Sequence, residues 1–368
     1  MSWETNLRIL AVTNSYPTAK HPAQGAFVEQ QIKGLQNAGL EVEVMIVDRT
    51  NEGYGAYRHL RSRVKEEMAK TQADLAHVMY GGVMAKIVVC SLSERPVIVS
   101  FCGSDLLGEK LPGAVRKLAV AYGVWCSRFA SRRACGVVVK SKNLLDALPK
   151  SVDRAWVRII PNGVDLGRFK PLDPKECQTR MGWPEDRLHV LFPANSGSPV
   201  KRLWLAEAAV TRAKALGVPA ELHLLQRVKH EDVPLWLNAS DCLILTSDHE
   251  GSPNIVKEAL ACNRPIVSVD VGDVAERIAG VNGCFLCEAQ PDAIGLCLQK
   301  IFQGPRRVDG RARVAELSLQ KIAEKLRQFY TEVLDAWQPP HSVIDSRPGL
   351  IMPSARKSSV SGIRVTHE

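Results

Sequence analysis

Short apolar runs alternate with longer stretches of helical periodicity along nearly the whole chain. LRILAVT (7–13) is followed by AFVEQQIKGLQNAG (26–39) and EVEVMIV (41–47). Further on come PVIVSF (96–101), GVVVK (136–140), VRIIP (157–161), HVLFPA (189–194), AELHLL (220–225), DCLILTS (241–247) and RPIVSV (264–269). Near-continuous apolar strands separated by amphipathic helices predict an α/β protein with parallel sheets covered on both faces. The pattern breaks at GRFKPLDP (167–174), where prolines and charges intervene, and returns in a long helical stretch over 311–337. It fades in PPHSVIDSRPGLIMPSARKSSVSG (339–362). The expected organisation is therefore two Rossmann-like domains, 1–167 and 168–320, then a helix over 321–337 and a disordered tail over 338–368.

Open α/β sheets bind ligands outside the carboxyl ends of their strands. That rule selects the loops at 14–25, 102–105, 195–202 and 248–252. In HEGSPNIVKEALACNRPIV (249–267) two glutamates, Glu250 and Glu258, stand eight residues apart. Ser252-Pro253 reads as a helix start, Ser at the N-cap and Pro at the first helical position. On one ideal helix the two carboxylates would differ by about 80° in direction and about 12 Å along the axis. Hydrolytic pairs need roughly 5–9.5 Å, so the spacing fits two contacts on one extended ligand, with the amides after Gly251 facing an anion between them. The loop NSGSPVKR (195–202) also follows a strand and ends in two cations, Lys201 and Arg202, which with its amides suit a phosphate. It lacks the Gly-Lys-Ser/Thr ending of a P-loop.

Net charge is +9, and the excess sits in the first half: residues 1–165 hold 22 Lys+Arg against 15 Asp+Glu, the remainder 26 against 24. Part of that excess lies in a basic, aromatic-bearing helical stretch within 113–133. It suits either an anionic membrane surface or a solvated helix packed through its apolar stripe, and both readings stay open here. No nucleic-acid motif accompanies the charge, so no nucleic-acid partner is expected. The longest uncharged apolar run, Leu118–Cys126, is about half of the ~20 residues a spanning helix needs. MSWETNLRILAV lacks the form of a secretion signal, and the expected location is cytoplasmic, with a peripheral place at the inner membrane face. The ten cysteines show no metal-ligand spacing, and the close pair Cys284 and Cys287 is expected as core packing.

The run ASDCLILTSDHEGSPNIVKEALACNRPIVSVDVGDVAERI (239–278), with IIPNGVDLGRF (159–169), FPANSGSPVKR (192–202) and SYPTAKHPAQGAFVEQQIKGL (15–35), resembles the family 4 retaining glycosyltransferases of the GT-B fold. The resemblance implies two Rossmann-like domains around a cleft, a C-terminal helix returning to the first domain, and transfer from a nucleotide-diphosphate sugar to a glycan or lipid-linked acceptor. It implies that Glu258 accepts the ribose hydroxyls, and that Glu250 with Gly251, Ser252 and Asn254 lies beside the sugar and phosphates. Lys201 with Arg202 would neutralise the leaving diphosphate, and Asn195 would lie in the same donor loop. Gly25, Cys102 and Gly103 would line the acceptor or phosphate loops, and Asp105 would contact acceptor or sugar. No cofactor and no metal are expected; the chain has no Asp-x-Asp motif. It departs from the family pattern at Cys102, where many relatives have His, and at Ala194-Asn195, where they often have Gly-Arg. Those departures motivate a second reading, a binding scaffold without turnover, and a third is a sugar-nucleotide epimerase on the same fold.

Overall fold

The structure, a computed structural model, describes residues 7–17, 25–109, 113–194 and 199–339. The tail beyond 339 therefore lies outside the described residues, as does Asn195. Strands β1 (Arg8–Thr13), β2 (Glu41–Ile46), β3 (Leu75–Met79), β4 (Val97–Phe101), β5 (Gly136–Val139) and β6 (Val157–Ile159) form one parallel sheet in the order β2-β1-β3-β4-β5-β6. Strands β7 (Leu188–Phe192), β8 (Ala220–Leu224), β9 (Cys242–Leu245), β10 (Ile266–Ser268) and β11 (Phe285–Leu286) form a second, in the order β11-β10-β9-β7-β8. Every strand pairing among the described residues is parallel, as the alternation of strand and helix demands, because parallel neighbours need a crossover between them.

Position in the sheet explains each strand's composition. The inner strands β3, β4, β7 and β9 are buried at every residue, so helices on both faces require the continuous apolar runs seen in VIVSF and LHVLF. Two of the four outermost strands, β2 and β8, read EVEVMI and AELHL, with polar residues that stay partly in water. β3, within ADLAHVMY, escapes the apolar pattern because His77 interrupts it. Its imidazole is nevertheless buried, Nδ1 2.7 Å from Tyr330 Oη and Nε2 2.7 Å from Ser100 Oγ.

Tyr330 belongs to the last helix, Leu319–Ala336, which follows the second sheet in sequence yet packs on the first. Its apolar stripe, Ile322, Leu326, Phe329, Tyr330 and Val333, is buried at helical spacing, and Arg158 Nη2 meets Glu332 Oε2 at 2.8 Å. Ser318 caps its start by accepting from the Lys321 amide. The helix thus returns to the N-terminal half.

Candidate functional site

A cavity of about 430 Å³ lies outside the carboxyl ends of β7, β8 and β9, where the sheet rule puts a ligand. Its wall includes Pro193 and Ala194 after β7, Arg227, Val228 and His230 after β8, and Glu250–Glu258 after β9. The opposite side comes from the first half: Ala26, Phe27 and Gln30 of the first helix (Ala26–Asn37), and Cys102 after β4. Both halves therefore contribute to one site.

Lys201 ends a short 3₁₀ turn, Pro199–Lys201, and its Nζ donates to Glu250 Oε1 at 2.6 Å. The same oxygen accepts from Ser247 Oγ at 2.7 Å, and the Glu250 carbonyl accepts from Asn143 Nδ2 at 3.0 Å. Glu250 is thus fixed at both side chain and backbone, by residues of both halves. Behind it, Gly251 runs so close to Cys102 that a Cβ there would lie 2.3 Å from the Cys102 carbonyl oxygen, so only glycine fits.

The helix Asn254–Ala261 begins one residue later than its sequence implies: Pro253 occupies the N-cap position. Ser252 does not cap it. Its hydroxyl instead donates to Asp273 Oδ2 at 2.8 Å, a carboxylate also held by Arg277 at 2.9 Å, and its oxygen accepts from the Lys257 ammonium at 3.2 Å rather than from a helix amide. The first amides of this helix have no intrahelical acceptor, and Ser252, Pro253 and Asn254 all line the cavity. Glu258, one turn further on, is 7% exposed and takes His230 Nε2 at 3.0 Å on Oε1. His230 also meets Gln30 Nε2 at 3.0 Å and Arg168 Nη1 at 3.2 Å, and packs edge-on against Phe169.

Two buried lysines escaped the sequence reading. Lys257 is 1% exposed, and its Nζ donates to the Asn162 carbonyl at 2.9 Å and Ser252 Oγ at 3.2 Å, tying the PNGVD segment to the helix start. Burial lowers its pKa to about 8, although Asp273 pulls the other way. Asn162 itself reaches Asn254 Oδ1 at 3.3 Å. Lys140, on the other side, donates to Gln31 Oε1 at 3.2 Å and has its pKa lowered by burial. The only hint in sequence was that each lysine interrupts an otherwise apolar segment.

Asp105 faces inward. Its carboxylate accepts from the amides of Gly81 (2.8 Å), Gly103 (2.8 Å) and Cys102 (3.0 Å), shaping the turn after β4 while burial pushes its pKa upward. Burial, then Asp105, push the Cys102 thiol up to about 12, so at neutral pH it is a neutral thiol. Gly25 holds a left-handed φ of 69°, and a Cβ there would meet the Ser15 carbonyl oxygen at 2.2 Å. Glycine is required by this close approach. Arg202 departs from its expected phosphate role: Nε donates to the Thr246 carbonyl at 2.6 Å and Nη2 to the Ser247 carbonyl at 3.0 Å. Those strand-end acceptors turn the guanidinium away, and Arg202 is not among the residues lining the cavity.

Beside this site, a second cavity of about 670 Å³ in the first half is lined by Tyr54, Tyr57, Tyr80, Tyr122, Arg49 and Arg116 among others, with Asp105 at its edge.

The family model described as Glycosyltransferase Family 4 matches residues 24–168, and that described as Glycosyl transferases group 1 matches residues 197–303. The chain belongs to the group 1, family 4 glycosyltransferases. TuaC of Bacillus subtilis (strain 168), named for teichuronic acid biosynthesis, is 25% identical to this glycosyltransferase over 73% of this chain and 82% of its own. A D-inositol 3-phosphate glycosyltransferase of Thermobispora bispora is 23% identical over 71% of this chain and 65% of its own. Among solved structures, sucrose-phosphate synthase of Thermosynechococcus elongatus aligns with TM-score 0.73 at 17% identity, over 90% of this chain and all of that one. HepE of Anabaena, solved in complex with UDP, aligns with TM-score 0.65 at 17% identity, over 89% of this chain and all of that one. The glycosyltransferase thus has the GT-B fold, with the C-terminal helix returned to the first half.

Proposed function

We propose that this glycosyltransferase moves a sugar from a nucleotide-diphosphate donor, held in the 430 Å³ cavity, to a glycan or lipid-linked acceptor on the N-terminal side. The observation that carries the reading is the order of groups along that cavity: the Lys201–Glu250 pair, then the open helix start at Ser252–Asn254, then Glu258. A carboxylate at the far end suits ribose hydroxyls, amides in the middle suit phosphate, and an ammonium beside Glu250 suits the leaving diphosphate. Cation and amides aimed at the departing group lower the barrier because the negative charge grows there in the transition state. Gly251 keeps the backbone near the phosphates, and Asp105 acts by positioning the Cys102–Gly103 turn. We assign residues 1–167 to the acceptor side and 168–320 to the donor side, with Asn195 in the donor loop. We further propose that configuration is retained by front-face substitution and that turnover needs no metal ion.

The acceptor reading rests on the second cavity. Tyrosine faces suit sugar rings, and the guanidiniums of Arg49 and Arg116 suit a phosphate. The helix bordering it, Ala114–Arg133, leaves Val115 81%, Leu118 71%, Tyr122 51% and Trp125 49% exposed among Arg116, Lys117 and Arg128. Exposed apolar residues interleaved with cations favour the anionic-membrane reading of 113–133 over a packed stripe, although no helix among the described residues is long and apolar enough to cross a bilayer. We therefore place the enzyme at the cytoplasmic membrane face, building an acidic glycan. Likeness to a protein named for teichuronic acid biosynthesis agrees with this.

Purified protein incubated with UDP-, GDP- and ADP-sugars tests the reading. Binding of one nucleotide class with slow donor hydrolysis is expected, and transfer with retained anomeric configuration once an acceptor is supplied, without added Mg²⁺ or Mn²⁺. No binding to any donor overturns it; binding without transfer points to the scaffold, and conversion of the donor alone to an epimerase.

A further inference from the structure

We propose a transition-metal site, of the kind zinc occupies, formed by His189 of β7 with Glu221 and His223 of β8. Strand register pairs His189 with Glu221 and Leu191 with His223, so the three side chains share one face of the sheet. One ligand atom from each lies within 4.8 Å of the others. His189 Nε2 is 2.7 Å from the Pro184 carbonyl, which can only accept, so this nitrogen carries the proton and Nδ1 presents its lone pair. An outer carbonyl fixing the tautomer in this way is the usual support of a ligating histidine. The free Nδ1 faces His223 Nε2 at 2.9 Å. Two metal–nitrogen bonds of about 2.0–2.1 Å in tetrahedral geometry need the nitrogens about 3.3 Å apart, so a cation replaces the shared proton after a small opening of the pair. That proton moves to His223 Nδ1, so both imidazoles ligate as neutral rings.

The surroundings fit a dry, partly closed centre. His189 is fully buried, and the Trp183 ring stacks on His223 at 3.6 Å between centroids with 14° between planes. Glu221 is held by Arg187 at 3.3 Å, but both side chains are about half exposed, and such a pair yields easily to a divalent cation. Two imidazoles, one carboxylate and a water complete the four positions zinc favours. β8 is the outermost strand of its sheet and runs directly into Leu225, Arg227, Val228 and His230 of the donor cavity. A metal here would clip that strand to β7, a structural role that does not depend on which donor binds.

Titration of the untagged full chain with Co²⁺, followed by visible absorption, tests the site. The ten cysteines are the competing binders, and Co²⁺ distinguishes them, because thiolate ligation adds a sulfur-to-cobalt charge-transfer band that nitrogen and oxygen ligands do not. The expected result is one equivalent bound with ligand-field bands and no such band. His223→Gln and Glu221→Gln should each weaken binding at least about tenfold, the low end for losing even an outer-shell partner. Zn²⁺ should raise Tm in wild type and lose that effect in both variants. Should His223→Gln fail to fold, Glu221→Gln, at a half-exposed position, carries the comparison. Absence of stoichiometric binding, a thiolate band, or affinity unchanged in the folded variants overturns the proposal.

Discussion

Glu258→Gln offers the sharpest test of the donor site. The substitution keeps side-chain volume and one carbonyl oxygen, so the 3.0 Å contact with His230 persists and the buried helix face is undisturbed. What is lost is the negative charge and one acceptor. A hydrogen bond to a charged group contributes about 1.5–3 kcal/mol and a neutral one about 0.5–1.5. Two ribose hydroxyls on one carboxylate therefore lose about 1–3 kcal/mol in total, roughly 5- to 150-fold in affinity at 1.4 kcal/mol per decade. Calorimetric titration of wild type, Glu258→Gln and Cys102→Ala with UDP, GDP and ADP, alongside thermal melts, supplies the measurement. The nucleotide that binds wild type should bind Glu258→Gln within that weakened range, with Tm nearly unchanged, while Cys102→Ala, which keeps the carboxylate, should bind as wild type. An affinity within twofold of wild type in folded Glu258→Gln, or an equal loss in Cys102→Ala, refutes the placement of the ribose.

Other substitutions probe the remaining groups. Lys201→Ala should lower kcat about 100-fold, the low end for removing one transition-state donor, with a smaller change in KM; an unchanged kcat in steady-state assays removes Lys201 from the leaving-group role. Gly251→Ala forces a Cβ to within 2.3 Å of the Cys102 carbonyl oxygen, and its melt should show a loss of about 1–3 kcal/mol together with lost transfer. Lys257 has a folded pKa near 8, below its ordinary value, so between pH 8 and 10.5 the unfolded chain binds more protons and this group's contribution to stability rises with pH. In denaturant titrations, the stability of wild type minus that of Lys257→Met should therefore grow from pH 8 to pH 10; a flat difference contradicts the buried cation. Leu118→Asp with Trp125→Glu should abolish salt-sensitive sedimentation with anionic vesicles and leave nucleotide binding intact; vesicle binding that survives both changes rules out this face.

Legibility in the sequence followed how local each determinant is. Apolar runs such as VIVSF and LHVLF report burial on both faces, so the two parallel sheets could be read from composition and spacing alone. The loop rule pointed to Lys201 and Glu250, and the eight-residue spacing to Glu258, because strand ends and helix spacing are local features; all three line the cavity. Ser252 and Arg202 were misplaced for the opposite reason: their partners, Asp273 and the carbonyls of Thr246 and Ser247, are set by tertiary contact. A serine before a proline looks like a cap wherever it occurs, and an arginine beside a lysine looks like a phosphate ligand. His230 was missed since a lone histidine in RVKHED carries no motif, and only the fold brings it to Glu258. The metal-type trio lies on paired strands 34 residues apart in sequence, from His189 to His223, a separation no local pattern bridges.

Within the cleft each glutamate has a basic neighbour, Lys201 for Glu250 and His230 for Glu258. These pairs do not close the site. A lysine ammonium has three donors, so Lys201 can keep one on Glu250 Oε1 and turn the others toward phosphate; the carboxylate then serves to aim the cation. A carboxylate likewise offers two oxygens with about four lone-pair positions. His230 occupies one on Glu258 Oε1, leaving the rest, both on Oε2 among them, for two hydroxyls. Pairing of this kind lowers the desolvation cost of holding charges in a narrow cleft before a ligand arrives. It also distinguishes the two carboxylates: one is tied to a lysine ammonium, the other to an imidazole ring. The eight-residue spacing fits the proposed contacts at two ends of one ligand, and what argues against an acid/base pair is the separation along the chain, since hydrolytic pairs need roughly 5–9.5 Å.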